Sequence, residues 1–340
     1  MDVDETRRLH AAEVIDYAVV PHRFRWYRRH AASIHTRMRL VRLLIGLVGS
    51  MMICGHAVPQ GIEDALPGGE YAFKVVPFER LSDHNVSRQG DAALGLKSVT
   101  WEHSESDHFI FHTEKGFSAL QLAVVAEWSY AQIKQHLGIT QDLFERKCHA
   151  YVFLNEPVWH EFVSNGKMEP WTGGWCTGRE LFIWSRPHFR FQGTTLPHEL
   201  THLVLYRFVS GDIPLWLNEG LAEFEGIRVY RAFLKERNYT LNNIRDHVER
   251  DQYIPLKDLV STVDYPRNND EVVAFYTESQ RLISFLYYQH GGINPLLRFL
   301  KLQSGGARFD SAWREVYSTT YSDQQAFEDR FIAYVTKGKE

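Results

Sequence analysis

Two histidines and a glutamate stand together at His198-Glu199-Leu200-Thr201-His202, within the run Leu196 to Val204. On a helix, residues four apart leave the same face one turn above the other, so both imidazoles can reach one metal ion. Two ring nitrogens at about 2.0–2.1 Å are only half of a catalytic zinc site. A third protein ligand is needed, and one position must stay open for water. Glu199 swings partly around the helix from the two histidines. It can stand beside the metal without ligating it, as a general base acting on activated water must. The third ligand is expected at Glu219, 17 residues past His202, in Trp216-Leu217-Asn218-Glu219-Gly220-Leu221-Ala222-Glu223. Glu223 lies one turn further on the same side. It is placed to receive an imidazole N–H and fix that ring's tautomer, with His198 the expected partner. Leu200, Leu203 and Val204 surround the histidines, and Leu217 and Leu221 surround Glu219. Polar groups in such settings are paired or metal-bound, which argues against a merely amphipathic surface helix.

Holding these residues together requires two helices that double back on each other. The loop through Ser210-Gly211-Asp212 to Pro214 is long enough for that reversal. Upstream, His108 to His112 alternates in strand fashion, and Leu120, Val124, Trp128 and Ala131 recur at helical spacing up to Gly138. Tyr151 to Leu154 reads as a buried strand, and Glu180 to Trp184 as another after a Gly-rich turn. From Thr194 onward the pattern is helical. It includes Phe275 to Gln289 and a closing helix after Ser322, with Ser322 and Gln325 in a capping box. Residues 58–100 are turn-rich, with a strand expected at Tyr71 to Val76, and form an N-terminal extension. The expected fold is α+β: a small strand-containing upper lobe (101–193), a mainly helical lower lobe (194–340), and the zinc cleft between them.

At these residues the chain resembles the gluzincin metallopeptidases, especially the peptidase MA-like proteins. The likeness is specific over residues 194–225 and looser from about 107 to 335. The resemblance implies a thermolysin-like zincin architecture with a mixed-sheet upper lobe and one Zn2+ per chain. It also implies peptide-bond hydrolysis with Glu199 as general base. In that family the edge strand before the zinc helix binds substrate backbone in extended form, which here would be Glu180 to Trp184. An unpaired strand edge is a physical template for such pairing. Tyr276, in Tyr276-Thr277-Glu278-Ser279, matches the family tyrosine that donates a hydrogen bond to the tetrahedral oxyanion. The Gly-x-Met-Glu-Asn signature of the related aminopeptidases is absent, and Gly173-Gly174-Trp175-Cys176-Thr177-Gly178 stands nearby instead. Endopeptidase and specialised exopeptidase action both stay open. The rival from another class is a zinc-stabilised, non-catalytic binding or assembly protein of the cell envelope on a peptidase fold.

Composition narrows the field from the other side. A net charge of −4 and a pI near 6.5 leave no electrostatic footprint for nucleic acid; the expected partner, a peptide or protein substrate, is what the resemblance implies. Three cysteines exclude a disulfide framework and a four-cysteine zinc site. Cys148 and Cys176 could pair in an oxidising compartment or remain two buried thiols. Residues 43–53, LLIGLVGSMMI, follow Arg37, Arg39 and Arg42 and precede Gly55-His56-Ala57. Basic, apolar, then small is the order of an export signal cleaved after Ala57. Residues 1–57 are therefore expected to be an arm and signal, with translation starting at Met38 and the product periplasmic or secreted. The alternative is an uncleaved anchor, with residues 43–53 in the membrane and the catalytic domain outside the cytoplasm. Trp171, Trp175, Trp184 and Trp216 cluster around the expected cleft and are read as packing residues. His103, His108 and His112 invite a second metal, but a solvated or hydrogen-bonded strand face with no carboxylate nearby is the expected arrangement.

Overall fold

The computed structural model describes residues 72–117, 119–166, 168, 172–185, 194–233 and 253–336. All of them lie in one compact unit, Gly68–Glu340. The expected arm, signal or anchor at 1–57, residues 58–71 of the extension, and Trp171 lie outside the described residues. Among the described residues no helix is long and apolar enough to cross a membrane.

The described residues are mixed α/β, with a six-stranded mixed sheet followed by a helical half. In chain order come β1 (Lys74–Val75), α1 (Arg88–Leu94), β2 (Trp101–Glu105), β3 (Phe109–Glu114) and α2 (Ala119–His136). Next are β4 (Cys148–Phe153), α3 (Glu156–Asn165), β5 (Gly174–Cys176) and β6 (Glu180–Trp184). The helical half holds α4 (Thr195–Phe208), α5 (Leu215–Phe233), α6 (Leu256–Ser261), α7 (Asn269–Gln289), α8 (Ile293–Ser304), α9 (Phe309–Tyr317) and α10 (Gln324–Thr336). The sheet order is β1-β2-β3-β4-β6-β5. β3, β4 and β6 run parallel, and the outer strands are antiparallel to their neighbours. β4 is buried along its whole length, as a parallel strand covered on both faces must be.

Successive residues of a strand face opposite sides, so each strand serves two cores. Tyr151, Phe153 and Phe182 pack with Ala93 of α1 and with Val158, Trp159 and Phe162 of α3 on one face. α2 and α4 cover the other. Trp175 and Trp184 pack against the first cluster, and Trp216 is buried against Phe299 and Phe309 in the helical half. These three tryptophans are packing residues, as expected.

Four expectations need correcting. β6 is not an edge strand, because it lies between β4 and β5; the edge beside α4, which opens at Thr195, is the three-residue β5. The sequence reads as a turn there because two glycines precede Trp175. Residues 72–100 are no separate extension, since β1 pairs with β2 and the Ser87 backbone N–H donates to Glu180 of β6 at 2.7 Å. The cap of α10 is Asp323, which accepts from Ala326 N–H at 2.9 Å, one residue past the expected Ser322. His108 does have a carboxylate partner, Glu127 of α2, at 2.6 Å.

The other two histidines of that group join a third in a row across three strands. His103 Nδ1 lies 2.8 Å from His112 Nδ1, and His112 Nε2 lies 2.9 Å from His149 Nδ1. Both contacts use opposite nitrogens of His112, so the three rings cannot close on one metal ion. Burial lowers the pKa of all three, that of His149 to about 4. Cys148 and Cys176 are both free. Their strands, β4 and β5, are separated by β6, about 9.5 Å at the usual strand spacing and too far for a disulfide.

Candidate metal centre

α4 begins at Thr195, and Pro197 falls in its first turn, where its missing N–H costs nothing. Gly211, at φ 98°, turns the chain after α4, and α5 then runs back between α4 and α7. Gly220 lets α5 approach α7 closely, since a Cβ there would fall 2.6 Å from the Ser279 carbonyl oxygen. Further along α5, the fully buried Glu225 pairs with His136 of α2 and accepts from Arg228 Nε at 2.9 Å. This anchors the helix on its far side.

With both helices fixed, the expected ligands meet. His198 Nε2 and His202 Nε2 are 3.1 Å apart, and Glu219 Oε2 lies 3.4 and 3.5 Å from them. Ligands bonded at about 2.0–2.1 Å to a tetrahedral ion are separated by about 3.3–3.4 Å, close to these three edges. The outer nitrogens show which lone pairs converge. His198 Nδ1 lies 3.1 Å from Glu223 Oε1, the partner expected from the sequence. His202 Nδ1 lies 3.1 Å from Asn218 Oδ1. In the neutral rings an acceptor at Nδ1 places the proton there and leaves the lone pair on Nε2. Two nitrogen lone pairs and a carboxylate oxygen, itself buried with no hydrogen-bond donor, then face one point. Three acceptors cannot satisfy one another, and a cation at their centre satisfies all three. Among the described residues no other cluster of His, Cys, Asp and Glu brings three ligand atoms within 4.8 Å of one another.

The electrostatics favour positive charge at this point. Burial pushes the Glu219 carboxyl up, but the two imidazoles outweigh it and hold it well below the usual carboxylate range. Burial likewise lowers both imidazoles, yet the surrounding carboxylates hold them above their ordinary value. Glu199 is not among the three converging ligands. It is buried against β5, and burial raises its carboxyl despite the two imidazoles. A Cβ on Gly174 would lie 2.6 Å from Glu199 Oε1, so a side chain there would displace that carboxylate. The Cys176 thiol, on the same strand, is pushed up by burial and by Glu199.

Tyr276 is buried on α7, its ring centroid 6.4 Å from that of His198. The expected residues His198, Glu199, His202, Glu219, Glu223 and Tyr276 therefore gather around one centre. Two neighbours were not foreseen. Asn218 sits directly before Glu219, where its carboxamide could have been read as a second ring acceptor. Tyr265 donates its hydroxyl to Glu219 Oε1 at 2.5 Å from a loop 46 residues downstream, and no spacing rule points to it. Compared with known families and with known curated proteins, the chain matches none.

Proposed function

We propose that the protein is a zinc-dependent peptidase of the gluzincin type on a thermolysin-like scaffold, with one Zn2+ per chain held by His198, His202 and Glu219. The observation that carries this reading is the convergence of three ligand atoms, from His198, His202 and Glu219, beside the buried Glu199. When bound, zinc supplies a Lewis acid that polarises a peptide carbonyl and brings the pKa of water to about 7. Glu199 accepts the proton of the attacking water and returns it to the departing amine. Burial has already raised that carboxyl, which favours a group that must both take and release a proton. On substrate binding Tyr276 turns the one O–H that it gives Tyr265 at rest to the developing oxyanion. The substrate backbone lies extended along β5, the strand edge beside Glu199. Glu223 and Asn218 hold the two rings in the tautomer that presents Nε2. The peptidase acts outside the cytoplasm, delivered by residues 1–57 as signal or anchor.

The test combines metal analysis with digestion of a peptide library. Glu199→Gln is expected to retain one zinc per chain and lose at least about 100-fold in turnover. His202→Ala is expected to lose the metal. Undiminished cleavage by the first variant rules out the base, and full zinc occupancy in the second rules out the ligand set.

A further inference from the structure

We infer that Tyr265 is a positioning residue that occupies one oxygen of Glu219 and reserves the other for the metal. The inference rests on the zinc site proposed above. Glu219 has two oxygens in different surroundings. Oε2 faces both imidazole nitrogens at 3.4 and 3.5 Å, whereas Oε1 receives the Tyr265 hydroxyl at 2.5 Å. The carboxylate itself is almost inaccessible, at 2% exposure. Tyr265 comes from neither ligand helix but from the segment between α6 and α7, and it is 39% exposed. A second phenol steadies it: Tyr276 is hydrogen-bonded to Tyr265, with the rings 6.4 Å apart and 14° from parallel.

The chemistry follows from what a carboxylate can do. A glutamate can bind a metal through one oxygen or through both. Binding through both would fill the position that an attacking water needs. A phenol O–H donated to Oε1 makes that second bond unfavourable, because it would break a short, charge-assisted hydrogen bond. It also fixes the rotamer that aims Oε2 at the imidazoles. Partners that orient a ligand from outside commonly contribute 10–100-fold in metal affinity.

The experiment uses Co2+ as a probe in the full chain, because four-coordinate cobalt absorbs strongly in the visible and higher coordination weakens the band. Wild type, Tyr265→Phe and Val263→Ser are compared, the last changing the same loop at a side chain 84% exposed. Wild type and Val263→Ser are expected to show the intense four-coordinate band. Tyr265→Phe is expected to bind one cobalt roughly tenfold more weakly in competition with a chelator, and to lose most of that intensity. A Tyr265→Phe spectrum unchanged from wild type overturns the inference. A wild-type chain that binds neither cobalt nor zinc overturns the metal site instead, so the two failures are distinguishable.

Discussion

Glu199 and Gly174 form a pair in which the chemistry of one depends on the smallness of the other. A methyl group at residue 174 would collide with the Glu199 carboxylate, and β5 and the proposed base would have to separate. Gly174→Ala is therefore expected to keep its zinc while losing at least about tenfold in turnover, because sub-ångström misplacement of a reacting group is costly. Metal content measured beside peptide cleavage checks this, and unimpaired turnover would overturn it. The same scale shows what a sequence can and cannot disclose. His198, His202, Glu219 and Glu223 were legible because helical periodicity turns spacing into direction. Gly174 was read only as part of a turn, since its meaning lies in Glu199, 25 residues away in the chain. Tyr265 had no signal at all, because a loop residue carries no period.

At the scale of elements, the fold fastens its first segment to the sheet with one buried carboxylate. Glu105, at the end of β2, takes Lys74 of β1 at 3.1 Å, Lys147 at 3.0 Å and the Ser82 N–H. Burial pushes its pKa up, but these donors outweigh it and depress it to about 2. A depressed carboxyl stabilises the folded state above its unfolded pKa, near 4.5, and loses that contribution as pH falls towards 2. Allowing for screening at the half-exposed Lys74, the contribution is on the order of 2 kcal/mol. Urea unfolding of wild type and Glu105→Gln should differ by about that much at pH 6, with the gap closing as pH falls from about 4.5 to 2. A gap independent of pH would refute the assignment. The main elements were foreseen from periodicity: β6 spans the residues expected, and α2, β4 and α7 overlap their expected ranges. The sheet's outer order was not, because pairing partners are set by packing, and a three-residue strand is too short to alternate.

On the scale of the whole molecule, the three candidate ligands come from two helices, with Tyr265 added from the α6–α7 connection, so a metal held there would be coupled to folding. Zinc at a thousand times its Kd should add about 4 kcal/mol to wild type. In a domain of this size that raises the unfolding transition by roughly 8–16 °C. The His202→Ala chain should show little of it, and calorimetry with zinc or a chelator measures the difference. An equal rise in both chains would place the stabilising metal elsewhere. Across the sheet, on the face turned away from α4, the row of His103, His112 and His149 has a different consequence. Each neutral ring carries one hydrogen, and His112 meets its neighbours through opposite nitrogens. If it donates to His103 it must accept from His149, and if it accepts from His103 it must donate to His149. The row therefore has a polarity: its two orientations are mirror states of a three-ring wire, and no single ring can turn over without reversing the others.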